Sequence, residues 1–312
     1  MNIALDMMGG DYAPLEAVKG ILKCLPKIPA NAILQLIGNE KEINELLVQH
    51  QLANHPQLQV VHAPEVIGYN EHPVKALKEK KQSSIAIGFG MLATGKTDAF
   101  ASAGNTGAML VGSMFALKTT EGVLRPTIGT IIPRENGKTG LLLDAGFNTD
   151  CKPENLNQFA IMGAAYSNII LGIDNPRVGL LNVGEEEGKG NLLAQATYPL
   201  LKENTAINFI GNIEGRDVLE DTADVIVCDG FTGNIILKLL ESLYPISKRQ
   251  QIDNDYFKRF NFEQYGGIPV LGIEKPVIIA HGVSQAEAFA NIILSAVQII
   301  ETDFLNQLKS KF

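Results

Sequence analysis

Five times this chain carries a short apolar run straight into a loop of Gly, Asn, Asp, Ser or Thr. The five stretches are IALDMMGGD (Ile3 to Asp11), AFASAGNTGA (Ala99 to Ala108), LLLDAGFNTD (Leu141 to Asp150), LLNVGEEEGKGN (Leu180 to Asn191) and VIVCDGFTGN (Val225 to Asn234). A run without polar alternation is covered on both faces, which is the condition of a parallel strand flanked by helices. The pattern predicts an α/β fold. Ligands in such folds lie beyond the carboxyl ends of the strands. Glycines there let backbone approach a ligand, and loop amides and helix N-termini offer N–H donors to an anion. The expectation is one anion-binding cleft at the strand C-terminal ends.

The intervening sequence supports the alternation. Pro14 opens a helix through about Lys23, AILQLIG (Ala32 to Gly38) is a strand and KEINELLVQ a helix; LQVVHA (Leu58 to Ala63) is a strand, followed by a basic helix near Pro73. TIGTII (Thr127 to Ile132) and TGLLLD (Thr139 to Asp144) predict two strands joined at PRENG. Helices follow from Pro153, Asn191 and Gly233, with strands at RVGLLNV and INFIG, and a final amphipathic helix runs from Ser284. Tyr244 to Tyr265 is polar, aromatic and charged, and breaks the pattern as an excursion from the core.

Composition excludes several classes. Hydrophobic residues make up 46% and charged residues 19% of the 312 positions, which marks an ordered globular chain. Neither a membrane span nor a signal-peptide pattern is visible, so the expected address is the cytoplasm. Cys24, Cys151 and Cys228 form no CxxC pair, and the five histidines show no metal-ligand spacing. A net charge of −8 argues against nucleic-acid binding. No G-x-S-x-G elbow is present, so a Ser-His nucleophile is not indicated.

Four loops carry chemistry with competing readings. GMLATGKT (Gly90 to Thr97) satisfies the G-x-x-x-x-G-K-[ST] pattern, but a phosphate-binding loop of that kind leaves a strand and opens a helix. Here SSIAIGFGMLA reads as a helix with Gly95 at its C-terminal cap. GEEEGKGN places Lys189 and Gly188 among glycines ahead of a helix at Asn191, fitting either an anion-holding cation or a solvated lysine beside Glu185, Glu186 and Glu187. DGFTGN (Asp229, Thr232, Gly233, Asn234) and AGNTGA (Asn105, Thr106, Gly107) are Gly-Asn turns at helix starts, with N-cap chemistry as the plain alternative. Asp6, Asp11, Asp144 and Asp229 end strands or follow them, as magnesium ligands or as caps and loop anchors.

Taken together, these segments resemble the bacterial acyl-acyl carrier protein:phosphate acyltransferase family. The resemblance rests on IALDMMGGDYAP, SAGNTGA, LLLDAGFNTDCKPE, PRVGLLNVGEEEGKGN, NFIGNIEGRD, DVIVCDGFTGN, YGGIPVLG and IIAHG, collinear over nearly the whole chain. It implies a three-layer α/β/α architecture, isocitrate/isopropylmalate dehydrogenase-like and shared with phosphotransacetylases. It also implies one functional unit over residues 1–312 with a short excursion at about 244–265. The implied reaction transfers a fatty acyl group from acyl carrier protein to inorganic phosphate, giving acyl phosphate for glycerol-3-phosphate acyltransferase. The implied enzyme is a homodimer with no cofactor and no metal. The family's excursion is usually longer and strongly amphipathic; only Ile235 to Gln264 intervenes here, which weakens an expectation of membrane-surface association.

In that reaction phosphate is the nucleophile and a thiolate leaves, so the protein needs donors rather than a nucleophile of its own. Lys189 and Asn234 are the expected catalytic donors. Asp6, Gly9, Gly10, Asn105, Thr106, Gly107, Asp144, Asn148, Gly188, Asn191, Asp229, Thr232 and Gly233 are the expected substrate and phosphate contacts. Lys75, Lys78 and Lys81 of PVKALKEKK are the expected carrier-protein dock, with Lys248, Arg249, Lys258 and Arg259 as a second basic cluster. Two rivals stand beside this reading: an ATP-using phosphotransferase, and a non-catalytic acyl- or phosphate-binding protein.

Overall fold

The computed structural model describes residues 1–312, which divide into two compact units; the first is Met1–Lys118 with Phe262–Leu305, the second Thr119–Asn261 with Asn306–Phe312. In chain order, the first unit opens with β1 (Asn2–Asp6), α1 (Leu15–Cys24), β2 (Ile33–Gly38), α2 (Glu40–Gln49), β3 (Leu58–His62), α3 (Pro73–Glu79), α4 (Ser84–Ala93), β4 (Ala99–Ser102) and α5 (Thr106–Ala116). The second contains β5 (Thr127–Pro133), β6 (Thr139–Leu143), α6 (Pro153–Ile169), β7 (Arg177–Leu181), α7 (Leu192–Glu203), β8 (Asn208–Ile213), β9 (Val225–Val227), α8 (Gly230–Arg249) and α9 (Asp255–Lys258). The chain then returns to the first unit with β10 (Gly267–Leu271), β11 (Val277–Ala280) and α10 (Ala286–Glu301), and α11 (Phe304–Lys309) ends it.

The strands of the first unit lie in the order β3-β2-β1-β4-β11-β10. All neighbours are parallel except β10, which runs antiparallel to β11. Ile3, Leu5, Leu34, Leu36 and Phe100 are fully buried, as both-face coverage requires. Helices α1 and α10 pack on each other where a Cβ on Gly20 would run into Phe289. Helices α4 and α5 pack on each other at Gly112, where a Cβ would run into the Phe89 ring. In both places a missing side chain sets how closely the helices approach.

The second unit has the order β5-β6-β9-β7-β8, with β5 antiparallel to β6 and the remaining pairs parallel. Side chains alternate across this sheet as the strand period demands. Leu142 and Ile226 join Ile132, Ile213, Val218 and Ala223 in a core closed by Ile236 and Leu240 of α8. Leu143 and Val225 point the other way, against Gly163 of α6.

Two expectations need correction. β10 and β11 were not anticipated as strands, because they have only five and four residues and GIPVL contains a proline. Helix α8 begins at Gly230 rather than Gly233, because the Asp229 side chain caps it and its two glycines lie inside the first turn.

The stretch that mimics a phosphate-binding loop is a helix end, as its preceding helical pattern predicts. Gly95 has φ +71°, its N–H donates to Leu92 O, and Lys96 N–H donates to Met91 O. That pair of bonds is the Schellman closure of α4. Thr97 is buried and donates its hydroxyl to Asn2 O at 2.9 Å.

Candidate active site

In the first unit, Asp6 ends β1 with its side chain buried. Its carboxylate accepts from Ser102 Oγ at 2.6 Å and from Met8 N–H at 3.0 Å, while Ser102 Oγ accepts from Gly104 N–H at 2.9 Å. Burial pushes the Asp6 pKa up, against hydrogen bonds from Ser102, Ser84 and the Met8 and Gly9 amides. The carboxyl group ties the loop after β1 to the loop after β4. Gly9 occupies the tightest point, since a Cβ there would lie 2.5 Å from Gly104 N and 2.7 Å from Asp6 Oδ2. Gly10 adopts φ +109°, a conformation that L side chains rarely take.

Asn105 caps α5 by accepting from Ala108 N–H at 2.9 Å. Its amide group donates to the carbonyls of Gly68, Tyr69 and Glu71 at 2.9, 3.2 and 3.3 Å. Tyr69 in turn donates its hydroxyl to Ala103 O at 2.9 Å. Residues 68–71 are thereby strapped onto the glycine loops. Thr106 is exposed in the first turn of α5, where helix amides lack an intrahelical acceptor, and Gly107 lies against Pro73.

In the second unit, Asp144 follows β6 and its side chain is fully buried. Oδ1 accepts from the amides of Ile128, Gly146 and Phe147 at 3.3, 3.2 and 3.0 Å, and Oδ2 from Asn148 N–H at 2.6 Å and Asn148 Nδ2 at 2.8 Å. Burial raises the Asp144 pKa, with those bonds opposing it. Asn148 Nδ2 also donates to Pro126 O at 2.8 Å. The start of α8 docks on this loop: Gly230 N–H donates to Asn148 O at 2.7 Å, and a Cβ on Gly233 would run into the Asp144 carbonyl oxygen. Asn234 is exposed and donates to Ala145 O at 3.3 Å. Asp144, Asn148, Gly233 and Asn234 thus form one interlocked corner.

The loop after β7 is held by side chains that its own sequence does not reveal. Asn182 Nδ2 donates to Lys189 O at 3.0 Å, and Asn212 Nδ2 donates to Glu186 O at 2.9 Å. Gly190 takes φ +97° where a Cβ would run into Asn182 Oδ1. Lys189 itself is exposed, with Glu186 4.0 Å away, and Gly188 beside it is exposed too. Asn191 caps α7 by accepting from Ala194 N–H at 2.8 Å. Asp229 caps α8, accepting from both the amide and the hydroxyl of Thr232 at 2.9 Å.

Asn191, Asp229 and Thr232 converge on a cavity of about 190 Å³ at the C-terminal ends of β7 and β9. Asn182 and Cys228 line it as well. Asn182 was legible only as a polar residue ending an apolar run. Ser102 and Tyr69 gave no local signal, because their partners lie 96 and 34 residues away.

The opposite edge of this sheet carries charge with a structural role. Arg134 is fully buried and pairs with Asp221 at 2.9 Å and Asp224 at 3.1 Å, and Arg177 pairs with Asp221 at 2.7 Å and Asp224 at 2.9 Å. Of the basic candidates, Lys75, Lys78 and Lys81 are exposed, whereas Lys80 pairs with Glu71 at 2.6 Å. Half of the second cluster is committed internally, while Lys248 and Arg249 are exposed. Lys258 pairs with Asp253 at 2.8 Å and Asp255 at 2.9 Å, and Arg259 donates to the carbonyls of Arg134 and Lys138.

With this geometry in view, the chain compares with known proteins as follows. It matches the family described as fatty acid synthesis protein over residues 1–252 and 250–307. It is 44% identical to the phosphate acyltransferase of Thermoanaerobacterium thermosaccharolyticum, covering 99% of this chain and 96% of that one. The same figures hold for the phosphate acyltransferase of Aquifex aeolicus. Among solved structures, a phosphotransacetylase from Streptococcus pyogenes superimposes with a TM-score of 0.68 at 18% identity, over 96% of this chain and 94% of that one. A branched-chain phosphotransacylase from Enterococcus faecalis gives 0.58 at 16% identity, over 96% of this chain and 100% of that one. These two likenesses establish the three-layer α/β/α fold, and the full-length relatives establish kinship: the chain belongs to the phosphate acyltransferase family.

Proposed function

We propose that the chain transfers a fatty acyl group from the thioester of acyl carrier protein to inorganic phosphate, giving acyl phosphate for phospholipid synthesis. The observation that carries this reading is 44% identity to phosphate acyltransferases over 99% of the chain. A phosphate oxygen attacks the thioester carbonyl carbon, the C–O bond forms, the C–S bond breaks, and the carrier's thiolate leaves and takes up a proton. No enzyme nucleophile enters. What the protein supplies is orientation and donors for the oxyanion that develops on the carbonyl.

The residue roles are part of the proposal. Lys189 and Asn234 are the oxyanion and phosphate donors, both exposed beside loops with fixed backbones. Asn191 and Thr232, with the amides near Gly188, bind phosphate in the second unit, and the amides near Gly10, Thr106 and Gly107 offer anion contacts in the first. Asp6, Gly9, Asn105, Asp144, Asn148, Asp229 and Gly233 hold those loops in shape. Lys75, Lys78 and Lys81 receive the acidic carrier protein. A homodimer, a hand-off to glycerol-3-phosphate acyltransferase, and a cytoplasmic address with at most peripheral membrane contact complete the reading; no helix is long and apolar enough to cross a membrane. The reading is tested by measuring phosphate-dependent release of the free carrier thiol in the absence of ATP. Consumption that requires ATP instead returns the phosphotransferase alternative.

A further inference from the structure

The cavity of the second unit is lined by two chemically different sets of side chains. Asn182, Asn191, Asp229 and Thr232 supply the polar one. Leu156, Leu180, Leu181, Leu193 and Ala194 supply the other. Cys228 completes the apolar set, and burial pushes its thiol pKa well above the ordinary value, so this set is neutral at physiological pH. A space lined by both hydrocarbon and hydrogen-bonding groups fits an amphiphile better than it fits a free anion. The surface nearby is apolar too: Val183 on the lining is 80% exposed, and Leu192, between the lining residues Asn191 and Leu193, is 86% exposed. Large side chains left in water on adjoining positions mark a surface that something apolar covers.

We propose that this cavity receives the carbons of the acyl chain next to the reacting carbonyl, and that its apolar lining favours chains long enough to fill it over shorter ones. The proposal rests on the acyl-transfer reading above. Size fixes how much of the chain enters. An apolar cavity of about 150 Å³ takes up a benzene-sized molecule of about six carbons. The 190 Å³ here therefore holds a comparable stretch, and a longer chain continues outward past Val183 and Leu192. The carbonyl then lies beside the polar groups of Asn191 and Thr232, near the end of the loop that bears Lys189.

Bulk added to the apolar lining tests this directly. Ala194→Leu adds three carbons to a buried lining position, and Leu193→Phe adds bulk at a half-buried one, where folding tolerates it. The measurement is kcat/KM with hexadecanoyl and butyryl thioesters of carrier protein at saturating phosphate. Each buried methylene is worth about a factor of four. The long-to-short ratio is therefore expected to fall about tenfold or more in each folded variant, with KM for phosphate unchanged. A ratio within about twofold of the parent protein in folded Leu193→Phe overturns the pocket assignment while leaving acyl transfer standing. Failure of the parent protein to consume either thioester with phosphate overturns the acyl-transfer reading itself, and the pocket with it.

Discussion

Five N–H groups converge on the Asp144 carboxylate, which lies wholly out of water, whereas Lys189 on the loop after β7 stands half in solvent. The two therefore answer truncation differently. Asp144→Ala strands several buried donors at about 1–3 kcal/mol each, so unfolding by urea is expected to show a loss of at least about 3 kcal/mol. A loss under about 1 kcal/mol would mean that the loop finds other acceptors. Lys189→Ala removes little packing, so its Tm should barely move, while turnover falls about 10²-fold as expected for a lost oxyanion donor. Near-parental acyl phosphate formation by that variant removes Lys189 from the chemistry. At this scale the sequence was legible where a residue's partner is local. The caps at Asn105, Asn191 and Asp229 follow from residue type and position. Asn182 and Ser102 were not legible, since their roles come from residues brought in by the fold.

Among elements, α8 shows most clearly why a helix start can be misplaced. DGFTGN reads as a loop because it holds two glycines, yet both sit in the first turn, where the backbones of Asn148 and Asp144 leave no room for a Cβ. Helix propensity alone favours Ala over Gly by about 1 kcal/mol. At Gly233 the clash with the Asp144 carbonyl outweighs it, so Gly233→Ala should lower both Tm and activity. A more stable variant would contradict the docking of α8 on this loop. The opposite sheet edge makes a pH prediction. The Arg177 hydrogen bond, helped by Lys138, holds Asp221 down to about 2 from its ordinary 3.8. For Asp224, burial pushes upward, but the Arg177 bonds and the Arg177 and Arg134 charges outweigh it and keep the pKa low. Carboxylates with depressed folded pKa values stabilise above the unfolded value and lose that contribution as pH falls through the folded one. Stability should therefore drop between about pH 4 and pH 2, and Asp221→Asn should flatten that drop. An unaltered acid transition in Asp221→Asn would show that the network does not report on unfolding. The network was invisible in the sequence because Arg134 and Asp224 lie 90 residues apart.

For the whole molecule, the alternation of apolar runs and helical patterns was enough to anticipate the α/β class. The composition of the first unit from both ends of the chain has no local signature, nor does the pairing of β11 with β4, a strand distant in sequence. Charge acts at this scale as well. The chain carries a net −8, so the carrier docking proposed for the exposed Lys75, Lys78 and Lys81 relies on a local exception to that charge. Reversing Lys78 and Lys81 to Glu should lower kcat/KM for the carrier-protein thioester most at low salt, with kcat little changed, because exposed charges are screened over about 10 Å at 0.1 M. Unchanged kcat/KM at low ionic strength excludes this surface. The central claim is acyl transfer to phosphate, and the most direct measurement follows free carrier thiol and acyl phosphate after mixing the purified protein with a fatty acyl thioester of acyl carrier protein. The account predicts equal amounts of both products, formed only when inorganic phosphate is present and without ATP; thiol release independent of phosphate, or no release at all, would contradict it.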